Sequence, residues 1–329
     1  ESIARAMAAA FLRSGRTAAL LCRRCSSASG TYAPPAAEAR LRTLQQKMQQ
    51  MYAAGSFAAA RDAAQECRNI ALSHFGPDHP VSASSVNNLA LMHKSLGQDE
   101  RATELYREAL SLYRMSVGEV HRSTATVACN LALLLRDTAA RSAAGGEIDR
   151  EKNPVQSTAD TAAALAEART LLEGAVAARL QVLGPPHPEV ALARSQLASI
   201  LRVQGDLTGA SELLERAVEH LDASHFAAEA TQGTDATKTA RLGALLAGAL
   251  NSLALLRKQQ ARLAEAEPLY LRASALYDGC VGELSSDAIV CRHNMAELAL
   301  ARGDEAAARH LQQDIMRRVE AAEGVEGAT

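Results

Sequence analysis

Tryptophan is absent from this chain, and the aromatic share is only 3%, although 48% of the residues are hydrophobic. A core without large rings must be closed by many small contacts, so Ala and Leu have to supply it, as close-packed helix pairs require. Charge of one sign is missing as well. The formal net charge is −2, which argues against a general nucleic-acid binder, whose footprint would be strongly basic. No uninterrupted run of about 18 apolar residues occurs, so no membrane span is expected. The six cysteines, at 22, 25, 67, 129, 280 and 291, show no framework spacing, which fits reduced, structural thiols in a non-secretory compartment. Cys22 and Cys25 form a lone C-x-x-C with no matching pair downstream, so zinc is not expected. A glycine-rich phosphate loop, a Ser or Cys nucleophile elbow and an H-E-x-x-H are all lacking. The chain is therefore expected to be no enzyme and to need no cofactor.

Acidic residues are missing from Ser2 to Ala37, yet arginines stand at 5, 13, 16, 23 and 24 among Ala, Ser and Leu. That is the composition of a mitochondrial transit peptide, and Arg23-Arg24-Cys25 before Ser26 looks like a matrix-protease site. Residues 1–36 are thus expected to be a leader, with Met7 as a candidate start, and the protein to be matrix-resident or inner-membrane-associated. The competing expectation is a disordered Ala-rich tail on a cytoplasmic protein.

What the sequence does contain is a repeat. Asn88-Leu89-Ala90 recurs as Asn130-Leu131-Ala132, Gln196-Leu197-Ala198, Ser252-Leu253-Ala254 and Asn294-Met295-Ala296, in steps of 42, 66, 56 and 42 residues. Ala60, Ala102, Ala168, Ala210, Ala266 and Ala308 share one register, stepping by 42, 66, 42, 56 and 42. The period is 42, with one insert of 24 residues and one of 14. Within a unit the apolar spacing is helical, and Gly97 splits two helical runs, as do Gly55, Gly205 and Gly303, with Ala261 in the fifth place. Six helix-turn-helix pairs are expected over residues 37–322. Polar inserts at 137–162 and 222–238 are expected as loops, the longer one mobile and inert or carrying a partner-specific arm, and 323–329 as a disordered tail. Repeats bury their core only against neighbours, so one elongated array is expected. The glutamine-rich first helix and the polar last helix, with Gln312, Gln313, Arg317 and Arg318, read as caps.

This pattern resembles the tetratricopeptide repeat. The 42-residue period, with Gly-Pro-Asp-His-Pro at 76–80 and Gly-Pro-Pro-His-Pro at 184–188, resembles the kinesin-light-chain type. The resemblance implies an all-α, right-handed superhelix (an α-solenoid) whose first helices line the inner surface, and a non-catalytic protein-binding scaffold. It also implies that residues at equivalent places on the first helices stack into ladders. One ladder is Asn88, Asn130, Gln196, Ser252 and Asn294, flanked by Asn87 and Asn251; in peptide-binding members an asparagine here bonds the backbone of an extended ligand. The alternative for these amides is helix packing. A second ladder is Lys94, Arg136, Arg202 and Lys258, which would favour an acidic ligand or else be a solvated rim. Cys129, Ser195 and His293 replace the equivalent of Asn87, and Leu91, Leu133 and Leu255 sit where a polar groove is common, which favours a helix or a subunit as ligand.

The partner is accordingly expected to be protein, a peptide, helix or subunit of a larger complex. Two other readings stand beside a mitochondrial subunit or assembly factor. A cytoplasmic kinesin-light-chain-like cargo adaptor would carry sustained heptads before its repeats, and none are seen here. An RNA-binding helical repeat would show a shorter period and more basic charge.

Overall fold

A computed structural model describes residues 35–144, 154–231 and 235–326. Among these residues there are twelve α-helices and no strand, so the chain is all-α. They fall into six consecutive pairs: α1 (Pro35–Ala53) with α2 (Phe57–Phe75), α3 (Pro80–Ser95) with α4 (Asp99–Val117), and α5 (Arg122–Ala144) with α6 (Pro154–Leu183). Then come α7 (Pro188–Val203) with α8 (Leu207–Ala230), α9 (Ala236–Gln259) with α10 (Leu263–Cys280), and α11 (Ser286–Ala301) with α12 (Glu305–Glu326).

The turns explain the repeat punctuation. Gly55, Gly97, Gly205 and Gly303 end the first helix of their pairs with φ between 72° and 86°, in the left-handed region that a residue without Cβ enters at no steric cost. Their fifth register mate, Ala261, adopts φ 60° without that freedom. Between pairs, the histidine of each Gly-x-x-His caps the next helix. The Nδ1 atoms of His79, His121 and His187 accept from the backbone N–H of Val81, Ser123 and Glu189 at 3.2, 3.1 and 3.2 Å. Pro80 and Pro188 follow two of these caps at the first helical position, where the missing N–H has no partner to lose.

Packing follows the register. Ala60, Ala102, Ala168, Ala210, Ala266 and Ala308 are all at most 1% exposed, and so are Ala109, Ala217 and Ala273 in the second alanine register. A methyl side chain at these contacts lets helix backbones approach closely, and Leu, with Tyr106 and Tyr270, fills what remains.

The chain divides into two compact units, one reaching Val182 and the other beginning at Leu183, where the repeat argument leads to one array. Each holds three helix pairs. In the second unit every helix packs on the next, and the first helix α9 also touches the first helices α7 and α11.

Both inserts and both ends differ from the sequence expectation. The insert expected as a loop over 137–162 is largely helix: α5 continues to Ala144 and α6 starts at Pro154. The Ala-rich flanks supply the propensity, and Pro154 falls at a first helical position instead of breaking one. The 222–238 insert likewise extends α8 to Ala230 and starts α9 at Ala236. Its added turn carries His225, 7% exposed, against Gly243, where a β-carbon would lie 2.3 Å from Cys280 Sγ. At the ends, α1 begins at Pro35, inside the expected leader, and α12 runs to Glu326, into the expected tail. The rest of the leader and residues 327–329 lie outside the described residues.

Among the described residues one helix, α9, is long and apolar enough by composition to cross a membrane, with mean hydropathy 1.4 over an 18-residue window. Half of that window is buried, and α9 packs on α7, α8, α10 and α11. This is how the central helix of a folded unit looks.

Candidate functional site

The asparagine ladder is closed on itself in two places. Asn294 Nδ2 on α11 donates to Asn251 Oδ1 on α9 at 3.1 Å, and Asn130 Nδ2 on α5 reaches Asn87 Oδ1 on α3 at 3.5 Å. In both cases the acceptor stands at the first position of the pair of polar sites and the donor at the second position one repeat later. Asn87 is 1% exposed, so its side chain serves packing between first helices; Asn88, Asn130, Asn251 and Asn294 are half-buried. Ser252 turns back to the carbonyl of Gly248 at 2.8 Å. Gln196, 8% exposed, keeps a buried Oε1 with no hydrogen-bond partner among the described residues.

Three of the four cations, Lys94, Arg202 and Lys258, meet an acceptor on the next first helix, and Arg136 meets its own neighbour Asp137. Lys94 Nζ lies 3.8 Å from Asp137 Oδ2, and Arg136 Nη2 lies 2.6 Å from Asp137 Oδ1, so one carboxylate on α5 faces two cations from successive repeats. Arg202 Nη1 donates to Gln259 Oε1 at 3.3 Å, and Lys258 Nζ to Glu297 Oε2 at 2.6 Å. Glu297 also lies 3.4 Å from His293 Nε2. The hydrogen bond from Lys258 holds the Glu297 carboxyl below its usual range, while burial pulls the Lys94 ammonium down from its ordinary value.

The acceptors Asp137, Gln259 and Glu297 escaped sequence reasoning. Two of them carry a signal in spacing: Asp137 follows Lys94 by 43 residues, and Gln259 follows Arg202 by 43 once the 14-residue insert is removed, whereas Glu297 follows Lys258 by 39. Together these side chains make a polar strip along the first helices within each unit, with two cations to one carboxylate in each. Leu91, Leu133 and Leu255 lie half-buried beside it, while Cys129, at 2% exposure, belongs to the core. Such a strip offers alternating donors and acceptors with apolar footing, the surface that a protein segment can match.

Among the described residues no group of three or more His, Cys, Asp or Glu side chains that could hold a metal ion occurs. Burial pushes the Cys67 and Cys291 thiols up to about 12, which leaves both protonated and unreactive.

A family model described as tetratricopeptide repeat matches residues 49–115 and 164–223. These spans run from the end of α1 into the last turn of α4, and from within α6 through α7 into α8. Among solved structures, the chain is similar to the Podosopora anserina putative kinesin light chain nearly identical TPR-like repeats, with 20% identity over 73% of this chain and 96% of that one, at a TM-score of 0.51. BtubC (BKLC) from P. vanneervenii is similar at 17% identity over 86% of this chain and 94% of its own, with a TM-score of 0.56. No curated protein matches by sequence.

Proposed function

We propose that this chain, a tetratricopeptide-repeat protein of the kinesin-light-chain-like type, is a protein–protein interaction scaffold that holds a partner segment along its first helices and works in mitochondria as a non-catalytic subunit or assembly factor. The observation that carries the binding face is the polar strip itself. Lys94, Arg136, Arg202 and Lys258 share one register on the first helices, and the amides of Asn130, Gln196 and Asn294 share another, with Asn251 one residue ahead of it and Leu91, Leu133 and Leu255 beside them. Because most of the cations already face acceptors from the next repeat, a ligand would exchange partners with them instead of neutralising bare charge. That favours a helix or subunit surface with mixed polar and apolar contacts over a short, highly acidic tail.

The address rests on five arginines and no acid between Ser2 and Ala37. A fluorescent reporter fused to residues 1–36 should enter mitochondria and lose the segment. A reporter that stays whole in the cytosol would favour the second reading, a cytoplasmic cargo adaptor, which has the repeat type in its support.

The binding face is tested by replacing Lys94, Arg136, Arg202 and Lys258 together with Gln. The variant should keep its helicity and lose the partner recovered with wild-type protein from cells. Equal recovery of that partner would remove the strip from the binding site.

A further inference from the structure

The arginines at 194, 257 and 292 are each at most 8% exposed. A buried guanidinium is costly unless a carboxylate and further acceptors surround it. Arg257 meets this need with the carboxylates of Glu215 and Glu265. Arg292 meets it with Asp278 Oδ1 at 2.6 Å and the carbonyl of Glu283 at 2.8 Å. Arg194 on α7 is the register mate of Arg292, because each stands two residues before its ladder amide, Gln196 or Asn294. Yet the residue fourteen before Arg292 is Asp278, and the residue fourteen before Arg194 is Leu180. The carboxylate that serves this position in the sixth repeat has no counterpart in the fourth.

What Arg194 has instead is a neutral ring. Its Nη1 donates to His220 Nδ1 on α8 at 2.9 Å, the one side-chain hydrogen bond it makes among the described residues. Arginine can only donate, so His220 must present a bare Nδ1 and carry its proton on Nε2. One helical turn before His220, on the same face of α8, stands Arg216, which is exposed and likewise closes no ion pair among the described residues. Burial first, and the Arg216 charge second, pull the Arg194 guanidinium below its ordinary range. Asp222, the register mate of Asp278, is already held by Arg272. The exposed Glu212 and Glu219 on α8 make no ion pair with either arginine among the described residues.

We propose that Arg194, Arg216 and His220 form a carboxylate-binding site that takes an aspartate or glutamate side chain of a partner protein. The guanidinium of Arg194 supplies N–H donors beyond the one bonded to His220, as Arg292 divides its own between Asp278 and the Glu283 carbonyl, and Arg216 supplies the outer charge that draws an acid in. The site uses none of Lys94, Arg136, Arg202 and Lys258, and gives a partner a charge-selective contact of its own. It does not depend on the first-helix strip being a binding face.

The test uses the full chain and a labelled oligo-aspartate peptide followed by fluorescence anisotropy, with inorganic phosphate at matched ionic strength as the competing oxyanion. Wild type should bind the peptide, and Arg216→Gln, an exposed change, should weaken it about tenfold or more. Arg194→Met should abolish binding and melt no lower than wild type, since a buried charge without its counter-ion leaves with it. Arg309→Gln, a change at an exposed arginine of α12, should leave this affinity within about twofold, and the first-helix strip keeps its own test in the recovery of the cellular partner. Absent binding by wild type, undiminished binding by Arg216→Gln, or an equal loss in Arg309→Gln would each overturn the assignment. Phosphate binding more tightly than the peptide would overturn it too, in favour of a small-oxyanion site. A lower melting temperature for Arg194→Met would show that His220 already satisfies the guanidinium.

Discussion

Asn294 donates through Nδ2 to Oδ1 of Asn251, 43 residues earlier in the chain and one repeat away, at 3.1 Å. The bond ties two neighbouring first helices at mid-length, where a peptide-binding asparagine would have to keep its amide available. The amide can do both, since it has two donors and an acceptor with two lone pairs. The same contact repeats at Asn130 and Asn87, stretched to 3.5 Å.

A double-mutant cycle on Asn251→Ala and Asn294→Ala should therefore return a coupling of about 0.5–1.5 kcal/mol in denaturant unfolding, the usual net worth of a hydrogen bond. The cycle on Asn87→Ala and Asn130→Ala should return less. Coupling indistinguishable from zero at the first pair would mean the two amides are independent.

Acid should loosen the repeats from their inter-repeat turns. His79 and His121 cap α3 and α5 through Nδ1, which must be unprotonated to accept, and burial lowers the pKa of both, with the Arg122 charge adding at His121. The folded state thus binds these protons less readily than the unfolded chain does. The stabilisation is fully present above the unfolded value near 6.5 and is lost as pH falls through the lower folded values. Melting temperature should fall between pH 7 and 5, and the fall should shrink in a His79→Asn, His121→Asn variant, whose caps do not titrate. A wild-type profile as flat as the variant's would refute the capping account.

Ala261 should be improvable. It holds φ 60°, where its register mates are glycines. A left-handed residue with a Cβ costs roughly 1–2 kcal/mol, against about 0.4–1 kcal/mol of extra unfolded-state entropy for glycine. Ala261→Gly should raise stability by up to about 1 kcal/mol, and Gly205→Ala should lower it by a similar amount, both read from thermal and denaturant melts. A destabilised Ala261→Gly would show that the turn at 261 is not strained.

The repeat boundaries were legible because each landmark answers a backbone demand: glycine or its stand-in for a positive φ, alanine for helix contact, histidine for a cap. These demands recur every 42 residues whatever the rest of the unit contains. The inserts were misjudged for a physical reason. Polarity and Gly145-Gly146 suggested a loop over 137–162, but Ala-rich stretches such as Thr161–Ala168 have high helix propensity and lie next to helices already nucleated. The division at Val182 and Leu183 left no composition signal. The candidate strip was half legible. Register put Lys94, Arg136, Arg202 and Lys258 in line, but only side-chain direction reveals that Asp137, Gln259 and Glu297 come back to meet them from the following repeat.

The central claim is that a protein partner lies along the first helices, and site-specific photocrosslinking measures this most directly. A photoreactive residue would be placed in the full chain, in cells, at Leu91 or Leu255 on the first helices α3 and α9, or at the exposed Glu104 or Arg309 on the second helices α4 and α12. Adducts to one partner from Leu91 and Leu255, and none from Glu104 and Arg309, are the predicted result. Adducts from Glu104 and Arg309 alone would place the partner on the second helices and contradict the account.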